Sequence, residues 1–343
     1  MRQLIIFSSL ALLMCSATLY AQAETAVSSE EAAAAMKAAE KLAAEGKVTE
    51  GWKIGAKVGL SGSFLQNSNF VGQADGVTMQ FGGLLSGNAN FRRGSHDWQN
   101  TLSIEHAQLK SPTIDSFIKS ADALELKSLY LFRIPSVEWL GPYARARAFT
   151  QIFPGYGITA EDAVLSRTDG DTTSTEGVKG QERFNLTSWF EPLIFEEAIG
   201  GFVSPVDTKA VSVTFTAGLG SQQVFTQGGF AVADDEDTPE LELVGLTSVF
   251  SVGGEAGVDA KGVLVPEVLS WNANAGVYYP FINSQDAITG IDLLHITAGG
   301  GLSLKVSKWV AVDYALRIIK QPFVLQDYQI QNQLLITSGF DLL

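Results

Sequence analysis

The charged side chains that could do chemistry in this sequence stand at alternate positions of apolar segments. Successive side chains of a β-strand point to opposite faces, so charges at alternate positions share one face. If the first five of these segments pair as neighbours about 4.8 Å apart, their charges can meet across the sheet. The candidate site residues are Lys53, Lys57, Arg92, Glu105, Glu125, Lys127, Arg145 and Arg147.

Two interpretations of this charged set are open. In the first, the charges compensate one another as a structural ion-pair network inside a narrow barrel. In the second, they line a pore or a ligand groove whose basic side recognises an anionic solute. Charge pairing is available for most members of the set, which favours the structural network and leaves the pore or groove as the alternative.

Residues suited to catalysis or metal binding are sparse. Of the three histidines, His96 lies in a short turn and His295 on the polar register of its segment. His106 stands on the apolar face of its segment, where a rim-located lipid hydrolase would need a nearby serine, but position 108 is Gln108. A catalytic triad requires mutual geometry, and a zinc site needs three or four converging ligands. We therefore predict no catalytic residue, no metal site, no cofactor and no enzymatic activity.

The segment that must position the first of these charges runs from Gly51 to Phe64. Its even positions from Trp52 to Leu60 are apolar, and its odd positions are Gly, Lys or Ser. This period of two predicts a strand with one apolar face. The run is longer than the roughly 5–6 residues of most soluble strands, and it reaches the roughly 9–11 residues of a tilted transmembrane strand.

The rest of the chain repeats this pattern between turn signals. The sequence therefore predicts an all-β fold, a closed antiparallel transmembrane β-barrel of about twelve strands with an apolar outside and a polar lumen. The other predicted strands are Thr78–Arg92, Asp97–Gln108, Ala123–Ile134, Pro142–Phe153, Arg183–Val203, Ala210–Val224, Leu241–Asp259, Pro266–Tyr279, Ile291–Leu304, Trp309–Lys320 and Tyr328–Leu343.

The segment Arg183–Val203 is the ambiguous one, since Pro192 interrupts it. Bacterial single-chain barrels have an even strand count, with short turns at one end and long loops at the other. Taken as one strand, this segment gives an even count and places every short connection at the same end. We therefore predict one long strand with Pro192 at a bulge, and we expect Pro154–Glu182 and Phe225–Glu240 to be acidic external loops.

Two segments precede the predicted barrel, which spans residues 51–343. Residues 1–23 have the charged start, the apolar core and the Ala21-Gln22-Ala23 end of a secretory signal peptide, and they contain the chain's single cysteine, Cys15. Residues 24–50 are Ala-rich and predict one short periplasmic helix or linker. This helix is either a solvated tether or an element that plugs the barrel or docks a partner.

Composition excludes several classes of function. The formal net charge of −14 argues against binding to nucleic acid. The chain contains no internal run of about 18 apolar residues, so a membrane-spanning helix is not predicted. A signal peptide followed by a barrel predicts localisation in the bacterial outer membrane. The expected partners are outer-membrane lipid, lipopolysaccharide and small solutes.

Several dispersed motifs resemble one family of bacterial proteins. They are Gly51-Trp52-Lys53-Ile54-Gly55, Trp98-Gln99-Asn100-Thr101-Leu102, Lys119-Ser120-Ala121-Asp122 with Leu124-Glu125-Leu126-Lys127-Ser128, Thr150-Gln151 with Gly155-Tyr156, and Phe184-Asn185-Leu186-Thr187 with Pro192 and Ser204-Pro205. The chain from Gly51 onward resembles the outer-membrane proteins of domain-of-unknown-function family three thousand and seventy-eight. The resemblance implies an outer-membrane barrel and no biochemical activity.

The sequence thus predicts a narrow channel or transport-related barrel for small solutes, without catalysis. The alternative is a structural or interaction barrel that binds partners through its loops or its N-terminal helix. A rim-located lipid hydrolase is the third hypothesis.

Secretion offers the first test. We expect cleavage after Ala23, because Ala21-Gln22-Ala23 has the small-x-small form of a cleavage site, with cleavage after Ala21 as the alternative. The intact mass of the protein purified from membranes should correspond to a chain that begins at Glu24. A mass that includes the first 23 residues would contradict the predicted signal peptide.

Overall fold

The structure is a computed structural model, and it describes residues 50–67, 76–208, 210–234, 238–284, 290–307, 310–322 and 325–341. The predicted signal peptide and nearly all of the predicted N-terminal helix lie outside these ranges. In the described ranges, no helix has both the length and the apolar character needed to cross a membrane.

The described chain is almost entirely β-structure, which confirms the predicted all-β, antiparallel class. Its strands, in order, are β1 (Gly51–Asn67), β2 (Gly76–Arg93), β3 (His96–Lys110), β4 (Ile118–Phe132), β5 (Leu140–Thr150), β6 (Gly155–Ile158), β7 (Ala163–Asp169), β8 (Thr172–Val178), β9 (Arg183–Thr187), β10 (Leu193–Asp207), β11 (Val211–Phe225), β12 (Phe230–Val232), β13 (Leu241–Gly245), β14 (Val249–Val265), β15 (Leu269–Asn283), β16 (His295–Lys305), β17 (Val310–Gln321) and β18 (Leu325–Asp341). One 3₁₀ turn, Gly290–Leu293, precedes β16.

Twelve of these strands form one closed barrel. Their order around it is β1-β18-β17-β16-β15-β14-β11-β10-β5-β4-β3-β2, and every neighbouring pair is antiparallel. The barrel closes where β1 pairs with β18, with Val58 opposite Phe340. Closure leaves this sheet without a free edge.

The outside of the barrel is apolar and the inside is polar, as the alternation along each strand requires. Exposed outward side chains include Leu60, Ile199 and Leu219, which are 71%, 66% and 56% exposed. Aromatic residues gather toward the two ends. At one end the ring centroids of Trp52 and Phe91 lie 5.2 Å apart, and toward the other Phe225 is half exposed.

The connections differ in length between the two ends. At the short-turn end they cover residues 94–95, 133–139, 208–210, 266–268 and 306–309. At the long-loop end, the two longest are residues 151–192 and 226–248. This asymmetry matches the pattern of bacterial outer-membrane barrels, in which the short turns are periplasmic and the long loops are external.

The predicted single strand Arg183–Val203 is wrong. Its first part is β9, which pairs with β6 outside the barrel, and only β10 belongs to the barrel. The residues between them leave the extended conformation, since Phe190 has a φ of 56°. The barrel keeps an even strand count because β9 is not one of its members.

The two longest connections are folded rather than irregular, which also corrects the expectation of plain loops. They contribute the four-stranded sheet β12-β13-β7-β8 and the two-stranded sheet β6-β9. The predicted strand Leu241–Asp259 is accordingly divided into β13 and β14. We call residues 151–192 and 226–248 together the cap. Its core consists of Leu165, Phe184, Leu186 and Leu243, with Val178, Phe230, Val232 and Leu241 packed against it.

Glu191 joins the two parts of the cap. Its side chain is fully buried, and its carboxylate accepts the backbone N–H groups of Ser188 at 2.7 Å, Gln227 at 2.5 Å and Gly229 at 2.8 Å. Burial by itself raises the pKa of Glu191, but these N–H donors stabilise the anion more strongly, so its pKa is lowered below the ordinary 4.5. The ionised carboxylate therefore stabilises the folded cap.

Replacing Glu191 by glutamine should loosen the cap. The amide keeps only one oxygen acceptor, so at least one buried N–H group loses its partner, at a cost of about 1–3 kcal/mol. We expect hydrogen exchange to rise about tenfold or more at the Ser188 amide or at the Gln227 and Gly229 amides, according to which oxygen position the amide nitrogen takes. The variant Glu176→Gln is the control, because the Glu176 side chain is 63% exposed.

The same anchor has a defined pH dependence. Because the folded-state pKa is lowered, its stabilisation is fully present above the ordinary carboxyl pKa of 4.5 and is lost as the pH falls through the lowered value. Protection of the Ser188, Gln227 and Gly229 amides should therefore fall in this acidic range in the wild-type protein. Loss of protection at neutral pH would contradict the assignment.

Candidate functional site

Six charged side chains form a network inside the barrel, which we call the lumen network. Its members are Glu125, Lys127, Arg145, Arg147, Glu196 and Glu255. Each stands at an inward-facing position of β4, β5, β10 or β14. The network contains three acids and three bases, so its formal charges balance.

Arg147 is the centre of one half of the network. Its Nη1 lies 3.1 Å from Glu196 Oε1, and its Nε donates to Glu125 Oε1. Lys127 Nζ lies 3.2 Å from the other carboxylate oxygen of Glu125. Glu125 is almost fully buried, with 2% of its surface exposed. A buried carboxylate is tolerated when it is paired and hydrogen-bonded in this way.

The other half of the network connects strands that are not neighbours. Arg145 Nη2 on β5 lies 2.6 Å from Glu255 Oε2 on β14, and the Tyr143 hydroxyl donates to Glu255 Oε1 at 2.5 Å. Strands β10 and β11 lie between β5 and β14 in the barrel. These two bonds therefore cross the inner surface of two strands, and we call them the lumen strap.

Glycines under the strap allow this crossing. On β10 and β11, Gly200 pairs with Gly218, and both are on the inward register. A Cβ on Gly200 would lie 2.8 Å from a ring carbon of Tyr143, and one on Gly218 would lie 2.2 Å from the backbone oxygen of Ile199. Only glycine leaves room for the backbones and the Tyr143 ring at this place.

Two apolar clusters enclose the network along the barrel axis. Toward the long-loop end, Ala123, Phe149 and Ile194 pack together with Val224. Toward the short-turn end, the cluster is Leu131, Tyr143, Ala198 and Phe202 with Leu129. All are inward-facing residues of β4, β5, β10 and β11, so this wall of the lumen is filled by side chains.

The adjoining wall, formed by β14, β15 and β16, is more accessible toward the short-turn end. Asp259 and Lys261 on β14 and Asn274 on β15 occupy inward positions and are exposed. Toward the long-loop end of this wall, Ser251 is fully buried and His295 is 7% exposed. On this side the lumen is thus accessible around its middle and short-turn end and is packed near the cap.

The structure brings together half of the sequence-predicted site. Glu125, Lys127, Arg145 and Arg147 belong to the lumen network. Lys53, Arg92 and Glu105 lie at inward positions of β1, β2 and β3 outside it. The side chain of Lys57 is outside the described part of the structure.

Sequence reasoning did not select Glu196 and Glu255, which complete the network. Both occupy inward positions of their strands, so the alternation of side chains between the two faces could have selected Glu255. The face of Glu196 could not be assigned in this way, because its strand was predicted to begin at Arg183. Its contact with Arg147 follows from the direct pairing of these two residues between β10 and β5.

The one carboxylate near His106 is engaged by other groups. His106 Nδ1 lies 4.0 Å from Asp122, but this carboxylate already accepts the backbone N–H groups of Ile152 and Phe153. His106 Nε2 contacts Gln108 at 3.3 Å. Asp122 thus anchors the start of the cap. Within the described ranges, no group of three or more His, Cys, Asp or Glu residues could hold a metal ion.

These features define the class of the protein. A closed antiparallel barrel with an apolar, aromatic-rimmed exterior and a polar, charged interior is a membrane-spanning β-barrel. No protein-family model matches the chain, and no curated protein matches it.

Solved structures give distant matches to the fold. The translocator domain of the autotransporter NalP from Neisseria meningitidis has 11% identity and a TM-score of 0.38, covering 93% of this chain and 98% of that one. The COG4313 outer membrane channel from Pseudomonas putida F1 has 10% identity and a TM-score of 0.39, covering 86% and 97%. The β domain of the Bordetella autotransporter BrkA has 10% identity and a TM-score of 0.34, covering 85% and 99%. Similarity at this level carries no argument about function.

The glycines under the lumen strap can be tested by a matched pair of substitutions. Gly218→Ala forces a Cβ against backbone atoms of β10, so we expect a loss of about 1–3 kcal/mol in the free energy of unfolding. Gly83→Ala is the control, since its Cβ would meet only Leu60 Cδ2 at 3.9 Å. Urea unfolding in detergent, followed by tryptophan fluorescence, measures both. Equal stability of the two variants would contradict the close approach at Gly218.

Proposed function

We propose that the protein is a bacterial outer-membrane barrel that conducts small solutes through a narrow lumen and carries no catalytic step. The apolar exterior and polar interior support the location. The short-turn end would face the periplasm and the long-loop end, with the cap, would face outside. On this proposal, the accessible part of the lumen opens toward the periplasm.

The lumen strap is the observation that carries the proposal. By connecting β5 to β14, Arg145, Tyr143 and Glu255 narrow the path beside the glycines without filling the barrel at the level of Asp259, Lys261 and Asn274. Side chains that line a constriction control conduction through its width and charge. Because the network is balanced in charge, we propose weak ion selectivity in the wild-type channel.

Conductance of the purified mature protein in planar bilayers tests this function. Glu255→Ala removes both bonds of the strap and leaves Arg145 without its acid, so we expect a larger unit conductance and a shift toward anions. Leu219→Ala is the control, because Leu219 faces outward on β11, between the two glycines of that strand. A folded Glu255→Ala barrel with unchanged conductance and selectivity would exclude the strap as the constriction.

The predicted N-terminal helix enters the same experiment. Conductance of the mature protein with and without residues 24–50 distinguishes a plug from a tether. Steps in both forms indicate a path that the helix does not close, whereas steps only after deletion indicate a plug. No steps in either form, with folding shown by circular dichroism, would overturn the channel proposal.

The cap supports a second candidate, an interaction barrel that binds a partner outside the cell. Val164 and Val244 lie on adjacent strands of the cap sheet, face away from its core and are 44% and 45% exposed. Such a barrel would be silent in bilayers and would lose its function on changes confined to this face. Membership of the domain-of-unknown-function family three thousand and seventy-eight also remains a proposal.

A further inference from the structure

The four-stranded sheet of the cap ends in an open edge. In the described part of the structure, β8 pairs only with β7, and it stands last in the order β12-β13-β7-β8. Six of its seven residues are exposed. Its ladder with β7 runs without a register shift from Thr172 to Val178. The edge is therefore regular, and it is accessible from Thr172 to Gly177.

The turn before β8 determines which backbone groups lie on this edge. Two residues, Gly170 and Asp171, connect β7 to β8, and Gly170 has a φ of 56°. In a two-residue hairpin, the residues that close the turn exchange both backbone hydrogen bonds, and bonded and non-bonded pairs then alternate along the ladder. The N–H and C=O groups of Thr173, Thr175 and Gly177 consequently point away from β7.

The composition of β8 does not protect this edge from a further strand. Natural sheets usually protect a free edge with a proline, a lysine, a bulge or a covering segment. The sequence of β8 is Thr172-Thr173-Ser174-Thr175-Glu176-Gly177-Val178. It contains no proline and no basic residue, and its threonines and valine favour an extended backbone. Its outward N–H and C=O groups can therefore pair with another extended chain.

The two faces beside the edge offer different contacts. On one face, a Cβ at Gly177 would have no atom within 4 Å, and its partner Val164 is 44% exposed. A large side chain of an added strand can therefore lie over Gly177 against Val164. On the other face, the Glu176 side chain is 63% exposed, with its Oε2 3.7 Å from Arg167 Nη2. A basic side chain of the added strand can pair with Glu176 there.

The charge of the cap selects a basic partner. The cap sequence, residues 151–192 and 226–248, contains thirteen Asp and Glu residues but three Lys and Arg residues. This excess of negative charge repels a second copy of the cap and attracts a basic chain. Residues 24–50 of the same chain do not fit either, because they contain six Glu and three Lys.

We propose that β8 binds an extended, basic polypeptide segment, which adds a fifth strand to the cap sheet. Backbone hydrogen bonds to Thr173, Thr175 and Gly177 hold the segment. Its side chains alternate between basic residues, which face Glu176, and large apolar residues, which lie against Val164. The proposal rests on the second candidate function, the interaction barrel, and names its partner. It does not require conduction through the lumen.

Binding is tested with the mature protein in nanodiscs of phosphatidylcholine, a lipid without net charge. The probe is an acetylated and amidated peptide as long as β8, in which lysine alternates with valine and phenylalanine. Hydrogen exchange at single amides measures its contact. In the free protein, the Thr173, Thr175 and Gly177 amides should exchange about tenfold or more faster than those of Ser174 and Glu176. Saturating peptide should slow exchange at the three edge amides about tenfold or more.

Two control peptides separate strand pairing from charge attraction. The first carries a methyl group on every backbone nitrogen, so it keeps the lysines and loses the N–H donors. The second has glutamate in place of each lysine, so it keeps the N–H donors and is repelled by the cap. We expect both to bind about tenfold or more weakly than the probe.

Three variants locate the site. Thr175→Pro removes one outward N–H group at an edge position, where proline is tolerated, and should weaken binding of the probe about tenfold or more. Thr175→Val is its matched control, because valine keeps the N–H group and a β-branched side chain. Glu176→Gln should weaken binding about two- to fivefold. Protection of the Gln227 and Gly229 amides shows that the cap of each variant is folded.

The contrary outcomes are distinct. Slow exchange of the three edge amides in the free protein would show that the edge is already covered, and the proposal would be wrong. Equal binding of the methylated peptide and the probe would reduce the contact to charge attraction and overturn strand addition. If Thr175→Pro unfolds the cap, the methylated peptide and Glu176→Gln still decide between these results.

Two further readouts separate this proposal from the others. A dimer of the mature protein that is lost in Thr175→Pro would assign the edge to a second copy of the chain instead. Bilayer conductance of Thr175→Pro should equal that of the wild type, because β8 is outside the barrel. Failure of peptide binding therefore leaves the channel proposal separately testable.

Discussion

A strand in hydrocarbon has no water to satisfy its backbone N–H and C=O groups, so the sheet must close on itself. Here the ladder between β1 and β18 provides that closure, with Lys57 opposite Asp341 and Leu60 opposite Ser338. Closure forces each strand to present one face outward and one inward. The outward face is apolar because it contacts hydrocarbon, and the antiparallel pairing of β1 with β18 goes together with an even strand count.

Alternation along the strands was sufficient to predict the barrel, because period-two patterns from Gly51 onward are long and regular. It was insufficient for the cap. The segments of β7 and β13 are short, and their partners cannot be read from local sequence, since β13 pairs in parallel with β7 across two barrel strands. The same limit applies to the site. Pairs between neighbouring strands, such as Arg147 and Glu196, follow from the alternation of side chains between the two faces. Arg145 and Glu255 meet only because the two strands between them carry glycines at the crossing.

Glycine therefore has a different role on this wall of the barrel than in the turns. At Gly200 and Gly218 the missing side chains bring backbones close and open space above them, which Tyr143 and the strap occupy. Opposite charges then meet over two strands of bare backbone. The charge pair and the glycines therefore depend on each other, since the strap can cross these two strands only where glycines leave room for it.

The parallel pairing of β7 with β13 also has a consequence for the order of assembly. Leu165 and Leu241 are partners in this ladder, yet the whole of β10 and β11 lies between them in the chain. The entropy of closing so long a loop is already spent once β5, β10, β11 and β14 are paired. The cap sheet is consequently expected to form after this part of the barrel. An ordered cap would therefore indicate that the strands beneath it have paired correctly.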